Sequence, residues 1–223
     1  MDSRFSPLAV AAFEAFFRPW MRRRVRAVLA AGLPRDLPAD RPVLFVPNHV
    51  SWWDGFVMRE VQRVLRPGAP LFHLMSEREL RRVPYFRRMG VVGIDAASPS
   101  SVARALRSLE QRLAERRDGC VVLFPQGRIW PSFRRPLGFE RGVELFARRL
   151  SPLVLPVGLH LEPLNAAAPT FFVSVGEPVD GGVDARGVEA RVEAELDAVL
   201  AFLTAHGEEA PRAWPGPHGR LPR

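Results

Sequence analysis

The stretch Pro42–Asp54, PVLFVPNHVSWWD, decides our prediction of the fold. Its first six residues are apolar and predict a buried strand, and the residues from Gly55 to Leu65 predict a helix. A strand that is followed at once by a helix is the building block of an α/β domain. His49 then lies just past the carboxyl end of the strand, where open α/β sheets usually bind their ligands.

His49 and Asp54 are close in sequence, and their spacing predicts that they interact. Asp54 falls in the first turn of the predicted helix, from which its carboxylate can turn back to the imidazole. A histidine held by a carboxylate is a general base that takes a proton from a hydroxyl or thiol. A structural interpretation stays open beside this one. Ser51 and Asp54 also fit the S-x-x-D pattern of a helix cap, in which Asp54 would only satisfy backbone amides.

Further motifs follow in order along the chain: Gly90–Asp95 (GVVGID), Leu123–Gly127 (LFPQG), Phe139–Gly142 (FERG), Val154–Val157 (VLPV) and Val175–Pro178 (VGEP). Together with His49 and Asp54, this ordered set resembles the glycerolipid (lysophospholipid) acyltransferase family, whose signature is a His and an Asp separated by four residues. The resemblance covers roughly residues 40–180. It implies an O-acyltransferase with His49 as general base and Asp54 as the group that orients the imidazole. The substrate-binding residues expected from the same motifs are Ser51, Phe124, Pro125, Gln126, Gly127 and Arg128.

The chain departs from the family pattern at four positions. The second motif normally closes with Arg, where this chain has Ala96, and the third normally continues Glu-Gly-Thr-Arg, where it has Gln126-Gly127-Arg128-Ile129. Two arginines that the family uses around an acceptor phosphate are therefore missing, and neither Ala nor Ile can replace a bidentate phosphate ligand. Either the acceptor carries no phosphate, or a nearby arginine supplies the charge: Arg128, Arg134 or Arg135.

Composition limits the class of partner. The 223 residues suffice for one α/β domain, and the formal net charge of +8 suits an anionic membrane surface or an acyl carrier protein. Nucleic acid is not expected, because no zinc pattern or RNA-binding signature is present. Cys120 is the single cysteine and lies in an apolar run, which predicts a core residue and not a nucleophile. We predict no metal and no cofactor, since an acyl thioester needs neither.

The N-terminal segment combines aromatic residues with clustered arginines. We predict that residues 5–31 are helical, that Pro19 kinks this segment or starts a second helix, and that the segment lies on a membrane surface. A helix that covers the domain's own core is the alternative. The sequence has no long uncharged apolar run, so we expect no membrane-spanning helix. The expected division is a helical segment over 1–35, an acyltransferase domain over 36–206 and a flexible tail over 207–223, with the protein peripheral at the cytoplasmic face of a membrane.

Alternating apolar runs and helical patterns predict the fold class. Strands are expected at 42–47, 70–75, 90–94, 119–124, 152–158 and 170–175, and helices at about 52–65, 76–82, 99–117, 138–149 and 185–205. This alternation predicts an α/β domain with a single, mostly parallel mixed sheet flanked by helices. His73 and His160 fall within predicted strands and are expected to be core or edge residues. A second basic stretch, from Arg78 to Arg88, is either a solvated face or a contact for the phosphates of coenzyme A, a carrier protein or lipid head groups.

The predicted activity is transfer of a fatty acyl group from an acyl thioester, acyl-CoA or acyl carrier protein, to a hydroxyl of a lipid acceptor. The alternative is a catalytically silent lipid-binding module on the same scaffold. The two hypotheses can be distinguished by geometry. The enzyme requires the Asp54 carboxylate within hydrogen-bond reach of His49, beside an open apolar groove.

Overall fold

Seven strands form one mixed sheet in the computed structural model, which describes residues 5–180 and 182–215. The strands are β1 (Ala27–Ala31), β2 (Val43–Pro47), β3 (Leu71–Ser76), β4 (Val91–Ile94), β5 (Cys120–Val122), β6 (Leu153–Glu162) and β7 (Thr170–Val175). Their order across the sheet is β1-β7-β6-β2-β5-β3-β4. The β6–β7 pair is antiparallel and the other five pairs are parallel. The predicted mostly parallel α/β fold is confirmed.

Helices cover both faces of the sheet. They are α1 (Pro7–Arg22), α2 (Asp54–Leu65), α3 (Glu77–Leu80), α4 (Pro99–Glu115), α5 (Gly142–Leu150), α6 (Ala185–His206) and α7 (Ala210–Ala213), with short 3-10 turns at Pro84–Met89 and Gly207–Glu209. Apolar side chains of α1 and α2 pack on one face of the sheet, and those of α4, α5 and α6 pack on the other. Successive strand residues point to opposite faces of the sheet. On β2, Phe45 therefore packs in the core beneath α1 and α2, and Leu44 packs in the core beneath α4, α5 and α6.

The six predicted strands are all present, but the predicted helix over 5–31 is wrong beyond Arg22. Residues Ala27–Ala31 form β1 and pair in parallel with β7 at the edge of the sheet. This segment, AVLAA, has no intrinsic strand signal, and its partner lies about 140 positions later. Pairing with β7 and burial of its centre decide its conformation. A domain boundary at residue 35 is therefore incorrect, because β1 belongs to the same sheet as β2, the strand that precedes His49.

The predicted flexible tail is also too long. Residues 207–213 continue in a 3-10 turn and α7, and the buried ring of Trp214 packs edge-on against Phe172 and Phe202. Residues 216–223, like residues 1–4, lie outside the described part of the chain.

Helix α1 is one continuous element with Pro19 inside it, and not two helices. Ser6 caps its first turn by accepting a hydrogen bond from the Ala9 amide at 3.3 Å. Across the described ranges, no helix is both long enough and apolar enough to span a bilayer.

Candidate active site

The carboxyl ends of two neighbouring parallel strands build the centre of the site. β2 pairs with β5, so the residues that follow them, His49 and Phe124, emerge side by side. Their rings stack with centroids 4.2 Å apart and planes inclined by 23°. This edge of a parallel sheet is where α/β folds place ligands.

Asp54 holds the His49 ring. Its Oδ2 lies 2.8 Å from His49 Nδ1, and the Asp54 carboxylate is fully buried at the start of α2. The other imidazole nitrogen, Nε2, is left for a ligand, because His49 lines a groove and keeps about a fifth of its side chain exposed. A buried carboxylate on Nδ1 fixes the tautomer that presents Nε2 as a proton acceptor.

The Asp54 carboxylate also satisfies backbone amides, as the helix-cap interpretation predicts. Asp54 Oδ2 accepts hydrogen bonds from the amides of Val50 (2.7 Å) and Ser51 (2.9 Å), and Oδ1 accepts from the Ser51 hydroxyl. The Ser51 oxygen in turn accepts the Trp53 amide at 3.2 Å. Several donors thus satisfy and immobilise the buried carboxylate that orients the imidazole.

Gln126 clamps the backbone at His49. Its Oε1 accepts the His49 amide at 2.6 Å, and its Nε2 donates to the Leu137 carbonyl at 3.1 Å. The side chain is buried, and both amide ends are used within the protein. The Trp130 amide donates to the His49 carbonyl at 2.9 Å, so one segment holds both backbone groups of His49.

Two of the six residues predicted to bind substrate lie away from the groove. Ser51 and Gln126 do not line the groove, since their polar atoms are engaged with Asp54 and with the backbone. The other four, Phe124, Pro125, Gly127 and Arg128, do line it. The Gly127 amide donates to the Phe124 carbonyl at 3.1 Å in a turn.

Asn48 is a functional-site residue that sequence reasoning missed. Its side-chain amide makes two hydrogen bonds with the backbone of Leu159 on β6, one donated at 2.9 Å and one accepted at 2.7 Å. Asn48 is buried and fastens the end of β2 to the neighbouring strand. The signal was its place directly before His49, at the exit of a buried strand.

The groove beside His49 has a volume of about 1370 Å³. Aromatic residues of α1 and α2 form much of its apolar wall, including Phe13, Phe17 and Phe56, whose rings stack on one another. Trp52, which is 56% exposed, lies at its rim. A groove of this size and lining can hold an extended apolar chain next to the imidazole.

Charged side chains line other parts of the groove. The arginines include Arg78, Arg81 and Arg82 of the second basic stretch, together with Arg104 on α4 and Arg128. Arg104 was missed because it lies on an exposed helix face with no motif around it. Of the three arginines considered as substitutes for the family's pair, Arg128 lines the groove and Arg134 and Arg135 do not. The lining also includes Ala96 and the acidic residues Glu77 and Asp95.

Three other cysteine and histidine residues stand outside the His49–Asp54 pair. Burial raises the pKa of the Cys120 thiol to about 12, so the cysteine stays protonated. His160 is buried and meets Glu162 across 3.2 Å, as expected of a strand histidine. His73 lines the groove, where burial and then the charge of Arg59 lower its pKa to about 4. Within the described ranges, no group of three or more His, Cys, Asp or Glu residues is arranged to hold a metal ion.

Two comparisons with known proteins bear on the family and on the fold. A family model described as Acyltransferase matches residues 31–160, which is more than half of the chain. The crystal structure of the 1-acyl-sn-glycerophosphate (LPA) acyltransferase PlsC from Thermotoga maritima is similar to this chain, with 21% sequence identity and a TM-score of 0.57. The match covers 88% of this chain and 80% of that one. At this level of identity the likeness concerns the fold.

Proposed function

Because this chain belongs to the acyltransferase family, as the resemblance of its motifs predicted, we propose that it transfers an acyl group from a thioester to a hydroxyl of a lipid acceptor. The observation that carries the proposal is the 2.8 Å contact between His49 Nδ1 and the buried Asp54 carboxylate, at the edge of a large apolar groove. This pair satisfies the geometric requirement for a general base with an orienting carboxylate.

The reaction proceeds through proton transfers at His49. Nε2 takes the proton of the acceptor hydroxyl as that oxygen attacks the thioester carbonyl carbon. The tetrahedral intermediate collapses, the carbon–sulfur bond breaks, and the imidazolium returns the proton to the leaving thiolate. Asp54 stabilises the imidazolium throughout. Positioned general-base catalysis contributes about 10²–10⁴ in rate.

The oxyanion of the intermediate needs a donor close to His49. Within the described residues, the amides of Arg128 and Ile129 have no hydrogen-bond acceptor, and both residues line the groove. We assign the stabilisation of the developing charge to these two amides. Preorganised backbone donors of this kind are worth roughly 3–4 kcal/mol each in transition-state stabilisation.

The thioester donor is acyl-CoA or an acyl carrier protein. Its acyl chain fits against the aromatic wall formed by α1 and α2, and its phosphates suit the arginines at the groove, Arg78, Arg82 and Arg104. Coenzyme A and the carrier protein both present a phosphopantetheine arm, so this arrangement serves either donor.

The acceptor is a neutral lipid alcohol. Ala96 and Ile129 stand where the family has arginines, and the acidic residue Asp95, next to Ala96 in sequence, also lines the groove and adds negative charge that opposes a phosphate. Gln126 does not contribute to this choice, because its amide is occupied by His49 and Leu137. Arg128 is the residue that would support a phosphorylated acceptor instead.

The protein acts from a membrane surface, peripherally and at the cytoplasmic face. On α1, Leu8 is 82% and Phe16 77% exposed, and a run of arginines, Arg22–Arg24, follows the aromatic residues. Exposed apolar side chains next to clustered arginines suit the boundary of an anionic bilayer. The same helix walls the groove, which would bring the lipid acceptor to the site.

The catalytically silent alternative keeps the scaffold and the membrane contact without transfer. The loss of the family's arginines favours it, whereas the oriented imidazole and the open groove favour an enzyme.

Acyl transfer from labelled acyl-CoA and acyl carrier protein to phosphorylated and neutral lipid alcohols tests the proposal, with His49→Ala as the control. We expect turnover with a neutral alcohol that is lost in His49→Ala at an unchanged melting temperature. Transfer that persists in His49→Ala would refute the mechanism. Selective acylation of lysophosphatidic acid that is lost in Arg128→Gln would refute the neutral acceptor, and absence of transfer to every acceptor would favour the silent module.

A further inference from the structure

A second exposed apolar surface lies on the loop 128–135, with the sequence RIWPSFRR. Phe133 is 84% exposed and Ile129 is 48% exposed. Between them, the Trp130 ring is stacked by two guanidinium groups, Arg128 at 4.0 Å and Arg134 at 3.4 Å from the ring centre. Apolar tips flanked by arginines are the pattern of a segment that enters a lipid interface.

The loop is fastened to the protein at both ends. Trp130 donates its amide to the His49 carbonyl at 2.9 Å, and the Leu137 amide donates to Glu193 on α6 at 3.1 Å. Glu189, one turn earlier on α6, accepts the two amides that follow Leu137. Phe133 is therefore held out from the surface by a fixed backbone. An apolar ring presented in this way costs free energy in water unless something covers it.

The loop lies at the mouth of the groove. Arg128 and Ile129 line the groove, and so does Trp52, whose exposed ring packs against Phe17 and Trp20 of α1. α1 and this loop therefore both contribute apolar residues to the same groove.

We propose that loop 128–135 is a second membrane-contacting element, which inserts Phe133 and Ile129 into the interface of an anionic bilayer and docks the mouth of the groove on it. The arginines of the loop match the negative surface of such a bilayer. With α1, the loop gives two separated contacts, and two contacts fix the orientation of a bound protein where one does not.

Membrane contact at this loop bears directly on the catalytic residue. The loop backbone holds the His49 carbonyl through Trp130, and the same segment holds the His49 amide through Gln126. The binding claim is independent of the proposed acyl transfer, whereas the expected effect on turnover rests on it. Phe133 does not line the groove, so its substitution should leave the reaction with a dispersed acceptor unchanged.

The test is vesicle flotation of the full chain with mixtures of phosphatidylcholine and phosphatidylglycerol. Phe133→Ser should bind about tenfold more weakly, a loss of about 1.4 kcal/mol, and Phe133→Leu should bind like the parent. Leu200→Gln is the matched control, because Leu200 is an exposed apolar residue on α6 that does not line the groove. It should bind like the parent. Turnover should fall for Phe133→Ser with vesicle-borne acceptor and stay unchanged with a short-chain, dispersed acceptor.

A second measurement locates the contact. A Phe133→Cys variant labelled with an environment-sensitive fluorophore should brighten on anionic vesicles, and the same label at the exposed Arg107→Cys site on α4 should not. The native Cys120 does not interfere, because it is buried and its thiol has a raised pKa.

Equal vesicle binding by Phe133→Ser and the parent, with no brightening at position 133, would overturn the proposal. The proposal would also be overturned if Phe133→Ser bound vesicles like the parent but lost turnover only with acyl carrier protein as donor. That result would assign the loop to contact with the carrier protein. Vesicle binding that is lost in Phe133→Ser while no acyl transfer is detected for the parent would sustain the loop contact and reject the proposed function.

Discussion

Gln126 provides a sharp test of the site, because the family normally has Glu at this place. The Gln126→Glu substitution keeps the acceptor for the His49 amide but removes the donor to the Leu137 carbonyl. It also sets a carboxylate oxygen, in a buried position, against that carbonyl oxygen. A change towards the family pattern is therefore expected to damage this chain.

The size of the effect follows from the contacts that are lost. One buried hydrogen bond disappears and the Leu137 carbonyl is left without this donor, which together cost about 2–4 kcal/mol in the free energy of unfolding. For a chain of this length that corresponds to roughly 4–16 °C in melting temperature. Turnover should fall by up to about tenfold, because the segment that positions the His49 backbone is loosened.

The effect should depend on pH with a defined sign. The folded state disfavours the charged form of the introduced carboxyl, so its folded pKa lies above the unfolded value of about 4.3. The penalty is full above the folded pKa and shrinks as the pH falls towards the unfolded pKa, since the protonated carboxyl again donates to Leu137. The difference in unfolding free energy between variant and parent, measured by denaturant titration across this range, should narrow at low pH.

Gln62→Glu is the matched control. Gln62 is fully buried on α2 and donates to the carbonyls of Arg66 and Ala69 at 2.7 and 3.1 Å. Its oxygen accepts from Arg59 at 2.7 Å, so an ion pair with Arg59 offsets part of the loss in Gln62→Glu. It lies eight residues past Asp54, roughly 12 Å along the helix. This variant should lose stability while keeping the turnover of each folded molecule. If Gln126→Glu is as stable and as active as the parent, the amide does not clamp His49 and the account of the loop is wrong.

Three further predictions concern other parts of the site. Asp54→Asn should lose most of its turnover through misorientation of the imidazole, and steady-state kinetics beside a melting curve would show this; near-normal kcat would contradict it. His73 has a folded pKa of about 4 against an ordinary 6.5, so the unfolded chain binds its proton more tightly. The free energy of unfolding should therefore drop as the pH falls from 6.5 to 4, by up to about 3 kcal/mol, and His73→Gln should flatten this slope in denaturant titrations; an equal slope in both proteins would contradict it. Replacing exposed Leu8 and Phe16 on α1 with Ser should weaken flotation on anionic vesicles by about tenfold or more at an unchanged melting temperature, whereas unchanged binding would exclude α1 as a contact.

Point substitutions on α1 are needed because deletion of residues 5–31 would disrupt the fold. Deleting residues 5–31 would remove β1, an edge strand paired with β7, together with the buried side chains of α1. A truncated chain would report on folding and not on membrane binding.

Strands and helices of the central region could be predicted from sequence because their signals are local. Buried strands such as Val43–Pro47 are continuous apolar runs. In amphipathic helices such as α4, apolar residues recur every three to four positions. β1 could not be found in this way, since a strand at a sheet edge is decided by a partner distant in sequence. The packing of Trp214 was missed for the same reason, because its contacts come from β7 and α6.

The candidate site was predictable where its contacts span a few residues. The spacing of His49 and Asp54 within one strand-to-helix turn gave their interaction correctly. The roles of Asn48 and Gln126 depend on hydrogen bonds to residues 111 and 77 positions away, which no local pattern reports. For Gln126 the sequence indicated a substrate contact, whereas the fold turns the side chain inward to the backbone.

The segment 126–137 divides catalysis and acceptor choice between different atoms. The Gln126 side chain and the Trp130 amide point to His49, whereas Arg128 and Ile129 line the groove. Groove-facing side chains can therefore differ from the family pattern without moving the imidazole, which Asp54 holds independently from α2. The absence of the family's arginines therefore favours the silent module less than the oriented imidazole favours the proposed transfer. Under that proposal, their absence bears on which molecule supplies the hydroxyl.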